Sequence, residues 1–243
     1  MAGVFVISCS KDDDDDNIVK STNSTNEIIS QAQEVGLQHN IGLDSCYYMV
    51  SQSPFSDLVA ARNLAYTSVT DFGHNYVDIN YSIGSVSDSL YELIDSLSND
   101  ILNRVNSDEG LDLSFLNNNQ KQFYYDLADI LSDRDLSDAE FEDKLDELSQ
   151  RCIASLQGDD LFQLLVGIEV GKKSYMYWKY DTKWSDLRNG ADKSWFNWKE
   201  LALSDAEGAI SGGSHGGGFI GALIGGVAAS AGDAVQQIVN HNI

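Results

Sequence analysis

The chain has 243 residues, of which 42% are hydrophobic, and its 38 acidic residues outnumber 15 basic ones for a formal net charge of -23. That length and apolar content suffice for one sizeable core. The charge excludes nucleic acid as a partner, since phosphate binding needs clustered Lys and Arg, and it disfavours unassisted adsorption to an anionic membrane.

Taken in chain order, residues 10–27 are rich in Asp, Asn, Ser and Thr and read as a disordered acidic tether. Ser56 and Asp57 cap a helix from about Leu58 to Val69, just after the single proline, Pro54. Tyr66 to Ile83 reads as loop or irregular helix, with Tyr76, Val77, Ile79 and Tyr81 equally suited to a short strand. Val86, Leu90, Leu93, Ile94, Leu97, Ile101, Leu102 and Val105 fall at spacings of three and four, which predicts an amphipathic helix. A second spans about Asn118 to Ser132, with Phe123, Leu127, Ile130 and Leu131 on its apolar face. A third opens on the capping box Ser137-Asp138-Ala139-Glu140, continues through Phe141, Leu145, Leu148, Cys152 and Leu156, and ends at Gly158. From Leu161 to Val170 the chain is apolar all round, as expected of the central helix of a bundle.

The expected fold is therefore all-α, an antiparallel bundle of four to six helices with an acidic amino-terminal tether and a glycine-rich carboxyl-terminal helix. The expected organisation is residues 1–9 as a signal remnant, 10–27 as tether, 28–200 as helical domain and 201–243 as a glycine-rich segment.

Two stretches stand out within that frame. Tyr175, Tyr177, Trp178, Tyr180, Trp184, Trp195, Phe196 and Trp198 are interleaved with Lys172, Lys173, Lys179, Lys183, Arg188, Lys193 and Lys199. Trp178, Trp184, Trp195 and Trp198 could form a membrane-interface belt or a carbohydrate-stacking surface, or could simply pack against the bundle. The other stretch, Gly208 to Gly232, holds no Asp, Glu, Lys or Arg, and Gly213, Gly217, Gly221 and Gly225 recur every fourth position. Each glycine costs a helix up to about 1 kcal/mol relative to alanine. Close backbone approach of two helices would offset that. The ridge could serve membrane insertion, self-association or an envelope partner, or the segment could dock in the core. Its strongly apolar part, Phe219 to Ala231, is shorter than the roughly 20 residues that span a bilayer.

Chemistry-bearing patterns are sparse. Cys46 and Cys152 could pair in an oxidising compartment, closing a loop worth about 4 to 5 kcal/mol in the chain-entropy model, or could both be small buried hydrophobes. No metal or cofactor is expected: CxxC and HExxH spacings are absent, and His39, His74, His215 and His241 are scattered. His39 and His74 read as surface or satisfied core residues. There is no Gly-x-Ser-x-Gly elbow or Walker-type phosphate loop, so an enzyme is not expected.

Val6-Ile7-Ser8-Cys9 follows an apolar run and precedes Ser10, Lys11, Asp12, Asp13, Asp14, Asp15 and Asp16. Aliphatic, tolerant, small and cysteine in that order resembles the lipobox of bacterial lipoproteins, and the Ser-Lys-Asp string resembles the export tag of Bacteroidetes-type surface lipoproteins. The resemblance implies acylation of Cys9, with Ser10, Lys11, Asp12, Asp13 and Asp14 as the tag, and a lipid-anchored protein on the outer face of an outer membrane. Only seven residues separate Met1 from Cys9 and none is basic, so the missing part of the signal peptide is expected upstream. The carboxyl-terminal segment resembles the glycine-zipper peptides of pore-forming bacteriocins, which implies membrane activity or self-assembly as the alternative role.

Overall fold

The computed structural model describes residues 24–53, 57–81, 88–105, 114–133, 135–181, 183–187 and 195–242. Cys9, Ser10, Lys11, Asp12, Asp13 and Asp14 lie outside the described residues, as do Arg188 and Lys193. Among the described residues the chain is all helix: α1 Thr25–Gln52, α2 Leu58–Asn80, α3 Asp88–Val105, α4 Asn118–Ser132, α5 Asp138–Ser155, α6 Gly158–Tyr180, the single turn α7 Lys183–Asp186, α8 Trp198–Gly212 and α9 Gly218–Asn242, with a π-helical turn at Gly213–Gly217 joining the last two.

Helix starts follow local chemistry. Ser137 and Glu140 form the expected reciprocal cap on α5, and Asn117 with Gln120 does the same on α4. Asp57 caps α2 by accepting from the Ala60 amide at 2.9 Å. A third capping box, Ser24 with Glu27, starts α1 inside the stretch assigned to the tether. The tether expectation therefore fails for its last residues, because Glu27 accepts from the Ser24 amide at 2.7 Å and Ile28 is already buried.

Three further expectations are corrected. Of the alternatives for Tyr66 to Ile83, the helical one holds and loop and strand do not: α2 runs regularly on to Asn80, because Val69, Phe72, Gly73 and Val77 form one buried stripe. The bundle holds nine helices among the described residues, more than the four to six expected, since α1, α7 and a separate α8 are added. Gly158 does not end α5, which closes at Leu156; with φ of 55° it turns the chain into α6 instead.

The centre of the molecule is α9. It packs against α8, α1, α2 and α3, while α8 also packs on α6 and α6 on α1. Ile220, Leu223, Ile224, Val227, Val235 and Ile238 of α9 are all buried. The segment 201–243 is thus part of the same core as 28–200, and α8 begins before that boundary, at Trp198. Leu161 to Val170 lies in α6 and is buried as expected.

Candidate functional site

The basic-aromatic span folds inward. Trp184 is fully buried, and Trp178 and Phe196 nearly so, with ring centroids 5.7 Å apart for Trp178–Trp184 and for Trp178–Phe196. Trp184 donates from Nε1 to the Tyr177 hydroxyl at 3.0 Å and meets Tyr47 of α1 edge-on at 5.6 Å. Trp195 stacks on His241 at 4.6 Å, and Trp198 meets Tyr175 edge-on at 4.8 Å. Each large ring gains more from burial than from a solvent-facing belt. Of the expected membrane or ligand patch, Trp178 and Trp184 are therefore packed aromatic core, while Trp195 and Trp198 are half-buried against it.

Its lysines are engaged as well. Lys179 lies 5.2 Å from the Tyr175 ring centre and pairs with Asp138; Lys183 lies 4.9 Å from the Tyr177 ring centre and pairs with Asp44 and, at 2.8 Å, with Asp181. Lys172 pairs with Asp146 at 2.6 Å.

The glycine ridge is likewise spent within the chain. An added Cβ on Gly208 would stand 2.6 Å from Ala229 Cβ and 2.9 Å from the Gly225 carbonyl carbon, and one on Gly221 would stand 3.0 Å from the Gly212 carbonyl carbon. Gly221 and Gly225 therefore do hold a close helix contact, and their partners are Gly208 and Gly212 of α8. Gly213 and Gly217 lie in the π-helical turn instead; a Cβ on Gly213 would meet its nearest neighbour, Ala222 Cβ, at an ordinary 3.5 Å. The fourfold spacing Gly208-xxx-Gly212 was the available signal for the missed partners.

Cys46 and Cys152 are free and buried, on α1 and α5, so the disulfide alternative gives way to the buried-hydrophobe one. Burial pushes both thiols up to about 12, which leaves them protonated and unreactive.

Sequence reasoning missed the most concentrated chemistry in the molecule. Asp205 of α8 is fully buried where α1, α6, α8 and α9 converge. It accepts hydrogen bonds from Ser174 and from Trp178 Nε1 (2.9 Å) on α6, and from Ser230 on α9. His39 of α1, also fully buried, places Nε2 3.6 Å from an Asp205 oxygen, while its Nδ1 lies 3.1 Å from Asn40 Oδ1. Burial holds the Asp205 carboxyl well above the usual range, against the hydrogen bonds from Ser174 and Trp178. Burial also lowers His39 to about 4, against contacts with Asn40 and the Gly226 carbonyl. Both groups are therefore stabilised in their neutral forms.

Ser, His and Asp meet here, but not as a nucleophilic triad. Both serines donate to the carboxyl and not to the imidazole, and Ser174, Ser230, His39 and Asp205 are all sealed from solvent. What the cluster does is join α6, α8 and α9 through one carboxyl group by hydrogen bonds, with the unbonded Nε2 of His39 on α1 packed beside it. Two more carboxyls belong to the same hairpin: Tyr124 donates to Glu207, and Ser204 donates to Asp233 at 3.1 Å. Burial raises both, Asp233 to about 6.

Among the described residues, no group of three or more His, Cys, Asp or Glu is placed to hold a metal ion. His74 stands near the surface, 3.0 Å from Asp95. No family model, curated protein or solved structure matches the chain.

Proposed function

We propose that this is a lipid-anchored envelope protein of the binding or interaction type, carried on the outer face of an outer membrane by acyl chains on Cys9. The observation that carries the reading is Val6-Ile7-Ser8-Cys9 set directly before Ser10-Lys11-Asp12-Asp13-Asp14. Each acyl methylene buried in the bilayer contributes about 0.8 kcal/mol, and two or more chains anchor stably where one does not. A body of net charge -23 is repelled by anionic headgroups and stands off from the surface that its anchor enters. The test is palmitate labelling in a producing cell, together with protease shaving of intact cells. Label that is lost in Cys9→Ala, and protein that is shaved, are the expected results; an unlabelled wild-type protein overturns the reading.

A second reading, membrane activity through the glycine-rich segment, is favoured by one observation. Gly218–His241 is a 24-residue stretch whose most apolar 18 residues have a mean hydropathy of 1.5, long and apolar enough to cross a bilayer, although nearly nine-tenths of that window lies inside the bundle. It predicts dye leakage from vesicles that disappears on truncation before Gly208. Without leakage, α9 is a core helix only.

A further inference from the structure

Helices α1 and α5 flank α6 and leave a groove over it. Leu165 and Glu169 of α6 form its floor, Ile29 and Ala32 of α1 one wall, and Asp146 and Ile153 of α5 the other. The cavity measures about 170 Å³. That is below the roughly 300–1,000 Å³ of small-molecule sites, and it suits one side chain.

The wall formed by α1 is fixed from below. A Cβ on Gly36 would stand 2.9 Å from the Glu169 carbonyl oxygen, so at this point the two helices rest backbone on backbone. The Glu169 carboxyl is pushed up by burial, a shift that Lys172 and Lys173 counter and Asp146 reinforces. Lys172 is committed to Asp146. No hydrogen bond or ion pair to Glu169 is formed among the described residues. Lys173, one turn on, opposes the shift without forming an ion pair with Glu169, so a half-desolvated carboxyl that shares its groove with Ile29, Ile153 and Leu165, and with the polar Gln33, Ser149 and Gln150, has no direct cationic partner.

We propose that this groove is a docking site for a partner protein, whose anchor is an arginine side chain lying along Ile29, Ile153 and Leu165 and pairing with Glu169. Arginine fits better than lysine because its guanidinium is less strongly hydrated and meets a carboxylate through two parallel hydrogen bonds. Its methylene stem covers the apolar walls. Arginine seated in a desolvated pocket is a recurrent centre of interface energy. The charge of -23 steers a cationic partner toward the body as a whole. The proposal rests on the interaction half of the functional reading and not on acylation of Cys9, so each can fail alone.

The probe is n-butylguanidinium, with the uncharged n-butylurea as its shape-matched control, followed through the δ1-methyl signals of Ile29 and Ile153 in the full chain. Expected is a saturable shift of both methyls by the guanidinium, half-complete on the order of millimolar, with the urea at least about tenfold weaker. Glu169→Gln should erase that preference, and Glu92→Gln on α3 should leave it unchanged. Equal response to the two probes, absence of saturation, or an unaltered preference in Glu169→Gln overturns the proposal. The comparison of probes in the wild-type chain needs no variant to fold.

Discussion

Gly212 and Gly221 touch backbone to backbone: a methyl carbon on Gly212 would lie 2.7 Å from the Gly221 carbonyl carbon and nearer still to its oxygen. Neither side can yield by rotating a side chain, since the obstructing atoms belong to the main chain of α9. Gly212→Ala should therefore cost about 3 kcal/mol or more, at the upper end for overpacking. Gly213→Ala, one position on and meeting nothing nearer than Ala222 at 3.5 Å, should change stability by less than about 1 kcal/mol. Urea unfolding of the two variants side by side checks the contrast; equal losses would show that the close approach is not what holds α8 to α9.

Asp233 and His39 should impose opposite pH slopes on stability. Asp233 is raised from 3.8 to about 6, so its contribution is present below pH 4 and is lost as pH rises through 6. His39 is lowered from 6.5 to about 4, so its contribution is present above pH 6.5 and is lost as pH falls toward 4. Relative to wild type, Asp233→Asn should gain about 2 kcal/mol more at pH 7.5 than at pH 4.5, and His39→Gln about 2 to 3 kcal/mol more at pH 4.5 than at pH 7.5. Chemical denaturation at the two pH values reads both differences. Slopes of the same sign in the two variants would contradict the burial of one of these groups.

Cys46 and Cys152 should resist alkylation. Both thiols are buried and held near 12, so iodoacetamide at neutral pH should leave them unmodified in the native protein and modify both in concentrated guanidinium. Peptide mass spectrometry locates the label. Rapid native labelling of Cys152 would mean that α5 opens readily from α6.

Trp184 tests the aromatic core. Fully buried and hydrogen-bonded to Tyr177, it should cost about 3 to 5 kcal/mol on replacement by alanine. An exposed stacking platform would lose little. Fluorescence should agree: the Trp178 and Trp184 emission should resist quenching by iodide.

Much of the bundle was legible because its outer helices declare themselves locally. Ser137 with Glu140 marked the start of α5, and the three-and-four spacing from Leu90 to Val105 marked α3, each within one segment of chain. Ser24 and Glu27 carry the same capping chemistry, but in a run of Ser, Thr and Asn that resembles tether on either side. Val77, Ile79 and Tyr81 alternate as a strand would, whereas in the fold that stretch is helical and packs against α9, α1 and α3, with Tyr76 over Phe219 at 6.2 Å. The aromatic span was plain from composition, yet composition does not say which way a ring faces; Trp184 turns inward because Tyr47 comes from α1 to meet it. Asp205 was invisible for the same reason. Ser174 and Ser230 reach it from 31 residues before and 25 after, and His39 from a different helix altogether, so no local pattern announces the cluster.

The position of α9 also decides what the other helices rest on. Every other described helix precedes it in the chain, yet its surface is what α1, α2, α3 and α8 all close upon. A polypeptide without Ile220 to Ile238 keeps the α1–α6 and α6–α8 contacts but leaves α2 and α3 without the surface they share with them, and the carboxyl of Asp205 lacks the hydroxyl of Ser230. The native arrangement of those four helices therefore requires α9 to be present. Loss of α9 would thus take away the common partner of α1, α2, α3 and α8 at one stroke, and not merely trim one end of the bundle.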